Sequence, residues 1–228
     1  MALIEAKGLY KQYESGESET VMALDGVDLA LDKGAFAVLS GRSGSGKTTL
    51  LNMVGTLDRP DRGELMIAGE DVLGMSRGER ADFRLKHIGF VFQAYNLIRV
   101  LSARENVAYV LQLQGVRASE RLKVADQWLA EVGLEGLEYR RPDQLSGGQQ
   151  QRIAVARALA THPSIVLADE PTANLDSHTG ESLIELMRRL NEERGMTFLI
   201  ASHDPVVMDA AKVLYTMQDG KVIDQERR

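Results

Sequence analysis

The sequence predicts an α/β fold, in which helices cover a mainly parallel sheet, with an antiparallel β region at the N-terminus and an inserted helical subdomain. Three observations predict it. Strand-like segments fill the first 40 residues, helix-like periodicity extends from Ser76 to about Ala160, and strands alternate with helices after Pro163. Alternating strands and helices are typical of a parallel sheet with helices on its faces. We expect a single domain over residues 1–228, with its core at 1–92 and 161–228 and the helical subdomain at about 93–160.

The N-terminal part of the chain predicts strands with one helix. Apolar residues favour strands at residues 3–10, 27–31 and 36–40, and the second of these alternates strictly between apolar and polar positions. Residues 14–20 are polar and acidic, which predicts an exposed loop or hairpin tip. A helix is expected at 46–57, followed by a strand at 63–69 with a glycine at each end.

The middle of the chain predicts helices, and the remainder alternates. Helical periodicity is found at residues 103–113, 119–132 and 148–159, with one strand-like segment before them at 88–93. After Pro163 the expected order is strand, helix, strand, helix, strand and a final strand near Val222, at residues 165–168, 180–193, 197–201, 205–211 and 213–217.

Composition restricts the class of protein. The chain has 228 residues, 44% of them hydrophobic and 26% charged, which is ordinary for a globular protein with a full core. With no cysteine there are no disulfides and no thiolate metal sites. The net charge of −6 argues against a protein that mainly binds nucleic acid. We find no signal peptide and no uncharged apolar run of the ~20 residues that a membrane span needs, so a cytoplasmic chain is expected.

A glycine-rich segment, the phosphate loop, lies between the strand at 36–40 and the helix that follows. Its glycines allow backbone N–H groups to surround a polyphosphate, and the positive end of the helix faces the same anion. Lys47 is expected to contact the β- and γ-phosphates, and Thr48 to bind Mg²⁺ through its hydroxyl. The alternative is a glycine-rich turn that matches by chance. The predicted nucleotide ligands are Gly41, Arg42, Ser43, Gly44, Ser45, Gly46, Lys47, Thr48 and the adjacent Thr49.

The apolar strand at 165–168 ends in two carboxylates. Asp169 is expected to hold Mg²⁺ directly or through water. Glu170 is expected to point toward the γ-phosphate and to polarise the attacking water as a general base. Alone, this pattern would favour an ordinary strand that ends in a solvated turn; the phosphate loop reverses that preference.

A second glycine-containing segment opens the helix predicted at 148–159. This LSGGQ segment, residues 145–149, combines a serine cap with glycines that leave backbone N–H groups free. One nucleotide does not need two such sites in a single chain. We therefore expect the segment to bind the nucleotide held by another copy, through Ser146, Gly147, Gly148 and Gln149.

Along the chain, the phosphate loop is followed by the LSGGQ segment and then by the apolar strand that ends in Asp169 and Glu170. With these segments in this order, the chain resembles the ATP-binding subunit of an ABC transporter over almost its whole length. The resemblance implies a P-loop NTPase core, ATP and Mg²⁺ as cofactors, and hydrolysis of ATP to ADP and phosphate. It further implies an ATP-induced head-to-tail homodimer and integral-membrane permease subunits as partners. The chain would then lie in the cytoplasm, at the inner face of the cell membrane, through the permease.

The resemblance extends to four further positions. Gln93 matches the glutamine that contacts Mg²⁺ and the attacking water, although a solvated loop residue is the alternative. His203 matches the histidine that contacts the γ-phosphate, where a structural role is the alternative. Asp176 matches a loop that touches the partner subunit. Tyr13 matches the aromatic residue that stacks on adenine, with Tyr10 as the alternative.

Within the family, the acidic insertion at 14–20 and the sequence at 167–176 resemble the lipoprotein-release and macrolide-export ATPases, which more often have glycine where this chain has Ala173. A polar amino-acid importer ATPase is an alternative. A non-transport ABC ATPase that acts on DNA or ribosomes fits less well, since the chain is acidic and its helical region is short. Residues 95–98 either dock a short permease helix or are buried in the core.

Overall fold

Two β-sheets and seven α-helices form the part of the chain that the computed structural model describes, residues 2–15 and 19–228. The strands are β1 (Ala2–Ser15), β2 (Glu19–Asp32), β3 (Phe36–Ser40), β4 (Arg62–Ile67), β5 (Glu70–Asp71), β6 (Ile88–Phe92), β7 (Ile165–Asp169), β8 (Phe198–Ala201), β9 (Val213–Gln218) and β10 (Lys221–Arg227). The helices are α1 (Lys47–Val54), α2 (Arg77–His87), α3 (Ala103–Leu113), α4 (Ala118–Glu131), α5 (Gly147–Leu159), α6 (Ser177–Arg194) and α7 (Pro205–Asp209). None of these helices is long and apolar enough to cross a bilayer.

The larger sheet is mainly parallel, as predicted. Its six strands lie in the order β10-β9-β3-β8-β7-β6. Strands β9, β3, β8, β7 and β6 pair in parallel, and only the edge strand β10 runs antiparallel to its neighbour β9. The connections between the parallel strands contain the helices, which is the usual way to join parallel strands.

Strand β3 lies in the middle of this sheet and contacts both layers of the core. Phe36 and Val38 point to one apolar core, which they share with helices α3 to α6. Ala37 and Leu39 point to the other, which contains α1 and the N-terminal strands. Because successive side chains of a strand point to opposite faces, a strand between two cores is apolar at every position. This burial explains the uninterrupted apolar run before the phosphate loop.

The smaller sheet is antiparallel, with strand order β2-β1-β4-β5. Strand β1 extends five residues past the predicted end at Tyr10 and reaches Ser15, while β2 begins at Glu19. The predicted acidic loop at 14–20 is thus shorter than expected, because Glu14 pairs with Thr20; residues 16–18 of it lie outside the described residues. The distal part of this hairpin is exposed, so no alternation of apolar residues marks it as strand.

Helices α3, α4 and α5 lie between β6 and β7 in the chain and pack on one another. Capping boxes begin two of them: Ser102 with Glu105 in α3, and Ser146 with Gln149 in α5. Helix α5 also packs on β6, where Gly89 is required because a Cβ there would lie 2.4 Å from the carbonyl oxygen of Ala158. The sheets and the helical insertion confirm the predicted fold class, whereas the division at residues 93 and 160 stays a prediction.

Candidate functional site

The register of the parallel strands brings four predicted site segments to one edge of the large sheet. Leu39 lies opposite Ala201, Ala201 opposite Asp169, and Asp169 opposite Phe92. Each of these residues lies at or next to the carboxyl end of its strand. The phosphate loop, Glu170, His203 and Gln93 come directly after these ends, where ligands of open α/β sheets usually bind.

The backbone of the phosphate loop depends on its glycines. Gly44 and Gly46 have φ angles of 82° and 101°, in the region that favours glycine. A Cβ on Gly41 would lie 2.4 Å from the carbonyl oxygen of Met217, and one on Gly46 would lie 2.5 Å from that of Ala23. No side chain caps the N-terminus of α1, so its first N–H groups face the loop without a side-chain partner. These N–H groups and the loop backbone have the chemistry to bind an anion.

The ammonium group of Lys47 lies inside the phosphate loop. Lys47 is only 7% exposed, and its Nζ donates hydrogen bonds to the carbonyl oxygens of Gly41 at 2.7 Å and Arg42 at 3.1 Å. Within the described residues no carboxylate forms an ion pair with it. The positive charge is therefore available to an anion bound in the loop.

Thr48 and Asp169 form a pair of oxygen ligands beside the loop. The Thr48 hydroxyl donates to Asp169 Oδ1 at 3.1 Å. Burial, with a smaller effect of the adjacent Glu170 carboxylate, raises the pKa of Asp169, while the hydrogen bond from Thr48 and the charge of Lys47 oppose this rise. Among residues 2–15 and 19–228, no three His, Asp or Glu side chains are grouped as a metal site. One carboxylate and one hydroxyl suit Mg²⁺, which takes its remaining ligands from phosphates and water.

The Glu170 carboxylate is held by two neighbours. Ser202 Oγ donates to its Oε2 at 3.1 Å, and His203 Nδ1 lies 2.9 Å from its Oε1. The Glu170 side chain is 18% exposed, whereas that of His203 is 71% exposed. The Glu170 backbone is in the left-handed region, with φ of 44°, and its N–H donates to the carbonyl oxygen of Ala201. This anchored carboxylate at a cavity wall has the surroundings of a general base.

These groups line one cavity of about 420 Å³, the central cavity. The central cavity brings together most of the predicted ligands. It also has an apolar wall on β2 that no sequence pattern predicted. Val21 and Met22, on β2, are 53% and 42% exposed, and only their position beside the phosphate loop distinguishes them from ordinary surface residues. The lining consists of Val21, Met22, Ala23, Ser43, Gly44, Ser45, Gly46, Lys47, Thr48, Thr49, Gln93, Asp169, Glu170, Ala173 and His203.

Tyr13 lies closer to this wall than Tyr10 does. In the β1–β2 register Tyr13 pairs with Val21, whereas Tyr10 pairs with Asp25 and its hydroxyl lies over Gly26. The Tyr13 hydroxyl donates to Asp58 Oδ2 at 2.8 Å. Burial and the Asp58 carboxylate raise the pKa of Tyr13 to about 12, so this hydroxyl stays protonated. The register therefore favours Tyr13 over Tyr10 as the residue that would stack on adenine.

The LSGGQ segment is well formed but lies away from the central cavity. Ser146 Oγ accepts a hydrogen bond from the N–H of Gln149, whose Oε1 accepts one from the N–H of Ser146. A Cβ on Gly148 would lie 2.3 Å from Thr179 Cγ2, and one on Gly147 would lie 2.8 Å from the Tyr95 hydroxyl. Among the described residues, those that line the central cavity include none from the LSGGQ segment. The two predicted anion sites therefore do not meet within one copy.

Asp176 is exposed at the start of α6. Its carboxylate caps the helix by accepting from the N–H of Thr179 at 3.0 Å and from the Thr179 hydroxyl at 2.6 Å. The hydroxyl and the N–H of Thr179 lower the pKa of Asp176. Before this helix, residues 173 and 174 are exposed and Leu175 packs half-buried against the core. Ala173 also lines the central cavity.

Comparison with known proteins gives consistent matches. The ABC transporter family model matches residues 24–173. The lipoprotein-releasing system ATP-binding protein LolD of Anaeromyxobacter dehalogenans is 43% identical over 96% of this chain and 92% of its own length. The macrolide export ATP-binding/permease protein MacB of an Azoarcus species is 45% identical over 97% of this chain, which covers 33% of MacB. A dimeric ATP-binding cassette solved in a post-hydrolysis state with ADP and phosphate superposes with a TM-score of 0.90, 42% identity and 98% coverage of both chains.

Proposed function

Because the chain belongs to the ABC transporter family and is an ATPase, we propose that two copies enclose ATP between them and use its hydrolysis to drive a membrane permease. One observation supports this most. The chain has two predicted anion sites, the phosphate loop and the LSGGQ segment, and among the described residues only the first lines the central cavity. In a head-to-tail dimer each ATP would lie between the phosphate loop of one copy and the LSGGQ segment of the other.

In this site the residues have distinct roles. The phosphate loop binds the polyphosphate, and Lys47 moves from its loop carbonyls to the β- and γ-phosphates. Thr48, Asp169 and Gln93 would hold Mg²⁺, which would neutralise charge on the phosphate oxygens. Glu170 accepts a proton from the attacking water, and His203, beside the Glu170 carboxylate, contacts the γ-phosphate.

The class of transport is proposed from the relatives. LolD is named for lipoprotein release and MacB for macrolide export, and each match covers nearly all of this chain. We propose the same class here, with the subunit in the cytoplasm at the inner face of the membrane. In MacB the ATP-binding region and a permease are named as parts of one protein, which supports a permease as the partner.

An apolar groove of about 300 Å³, next to the predicted docking residues 95–98, supports the permease contact. Arg157 donates to the carbonyl oxygens of Tyr95 at 2.9 Å and Asn96 at 2.6 Å, which holds their turn in the left-handed region. Ile98 lines the groove, which supports docking at this position, whereas Leu97 packs against the core. The apolar residues that line the groove include Phe90, Phe92, Ile98, Tyr109 and Leu113.

The groove can be tested with Leu113→Asp. Leu113 is 55% exposed on α3, and a carboxylate there would have to be desolvated under an apolar permease helix. We expect co-purification of the permease to fall by about tenfold or more, with ATPase activity of the isolated subunit within about twofold of wild type. Ile223→Asp, at an equally exposed apolar residue of β10, serves as the matched control. Equal co-purification of both variants would contradict the groove.

The composite site is tested by Ser146→Ala against Ser102→Ala. Both serines cap a helix with the same capping box, so each variant should lose about 1 kcal/mol of unfolding free energy in urea denaturation. Only Ser146→Ala also removes a hydroxyl from the proposed partner site. We expect its kcat to fall about tenfold or more, with Ser102→Ala within about twofold of wild type. Equal activity of the two variants would contradict the composite site.

A further inference from the structure

A fully buried glutamine outside the predicted site, Gln151, connects two of its segments. It lies on α5 and is 0% exposed. Its Nε2 donates to the carbonyl oxygen of Pro171 at 2.9 Å and lies 3.4 Å from that of Phe92. Pro171 directly follows Glu170, and Phe92 directly precedes Gln93. A single amide group therefore contacts the backbone beside both residues that are proposed to act on the attacking water.

The orientation of this amide is fixed by its partners. Carbonyl oxygens only accept hydrogen bonds, so the NH₂ group must face Pro171 and Phe92. Its Oε1 is buried and has no protein partner among the described residues. Glutamine is seldom fully buried, and the buried neighbours on this helix, Ile153 and Val155, are apolar. Packing alone would favour an apolar residue here, so the amide has another use.

The position of Gln151 on its helix suggests that use. It lies about one and a half turns after Ser146, on the helix that the LSGGQ segment begins. A movement of α5 as the LSGGQ segment meets a nucleotide would change the two hydrogen bonds. Asn174, which follows Pro171 in the chain, joins the two segments directly, since its Nδ2 donates to the carbonyl oxygen of Gln93 at 2.9 Å.

We propose that Gln151 is a positioning residue, which couples the position of helix α5 to the placement of Gln93 and Glu170. Hydrolysis then depends on the LSGGQ segment being seated on the partner's nucleotide, because only this position of α5 aligns both side chains with the water. The inference rests on the proposed function, and it assigns Gln151 no contact with ATP.

The test is Gln151→Met, which keeps the length of the side chain and removes the donor. We expect kcat for ATP hydrolysis to fall by about tenfold or more, with the Kd of ATP within about threefold of wild type. When Gln151→Met is introduced into the Gln93→Ala variant, the further decrease in log kcat should be less than about half of the decrease that Gln151→Met causes in wild type. The effects of residues that act as one unit do not add. The control is Gln150→Met, at the adjacent glutamine, whose Nε2 donates to the carbonyl oxygen of Leu145 at 3.0 Å.

A second variant, Gln151→Glu, gives a pH profile that a purely structural role would not produce. Its protonated carboxyl donates to Pro171, while the ionised form repels both carbonyl oxygens, so its kcat relative to wild type should decrease as pH rises. A folded Gln151→Met with unchanged kcat, a loss in ATP affinity equal to the loss in kcat, or failure of both variants to fold by circular dichroism would overturn the proposal. An inactive wild type would instead refute the proposed function.

Discussion

Glu170→Gln is expected to lower kcat for ATP hydrolysis by about 10²–10³-fold, because the amide cannot take a proton from the attacking water. The change keeps the shape of the side chain. Ser202 Oγ can still donate to the new amide oxygen as it does to Oε2 of Glu170 at 3.1 Å. The phosphate loop and the Thr48–Asp169 pair are untouched, so ATP binding should stay within about threefold of wild type.

The same variant should accumulate as a dimer. When ATP is bound but not hydrolysed, its contacts with the LSGGQ segment of the second copy favour the closed state. Size-exclusion chromatography with light scattering, with and without ATP and Mg²⁺, measures this shift. Glu135→Gln, at an exposed glutamate outside the central cavity, is the control and should remain active. Persisting hydrolysis would remove Glu170 as the base, and a monomer in ATP would contradict the composite site.

Lys47→Ala should act one step earlier, on ATP binding itself. The Lys47 ammonium is buried in the phosphate loop and donates there to two carbonyl oxygens. When ATP binds, phosphate oxygens replace these two carbonyl acceptors, and each charge-assisted contact to phosphate is worth about 1.5–3 kcal/mol. We expect affinity for ATP to fall by about 100-fold or more. The unfolding free energy should change little, since the two loop carbonyls then accept from water.

Calorimetric titration with ATP measures this loss. Lys33→Ala is the matched control, because Lys33 is exposed in the turn between β2 and β3 and has no part in the central cavity. Together, Lys47→Ala and Glu170→Gln distinguish ATP binding from hydrolysis. Lys47→Ala should prevent formation of the ATP-dependent dimer, whereas Glu170→Gln should accumulate it. Full ATPase activity in Lys47→Ala would refute the assignment of the phosphate loop.

Most of the order of strands and helices was predictable because its signals are local, although the short strand β5 and the bounds of α2 were not predicted. The apolar run of β3 marks a strand between two cores, and the capping serines 102 and 146 stand where α3 and α5 begin. The distal part of β1 was not predicted, because it carries no such local signal. Residues 12–14 are exposed, so backbone pairing with β2 keeps them in the sheet without any apolar alternation.

The fold class and the phosphate loop were predictable from the sequence, because both depend on patterns among residues that are close together in the chain. What surrounds the phosphate loop depends on the tertiary structure. Strand pairing places Val21 beside it, and helix packing places Gln151 between Phe92 and Pro171. The same packing keeps Ser146 away from the central cavity among the described residues. Contacts between residues far apart in the chain depend on register and packing, which no local pattern of residues records.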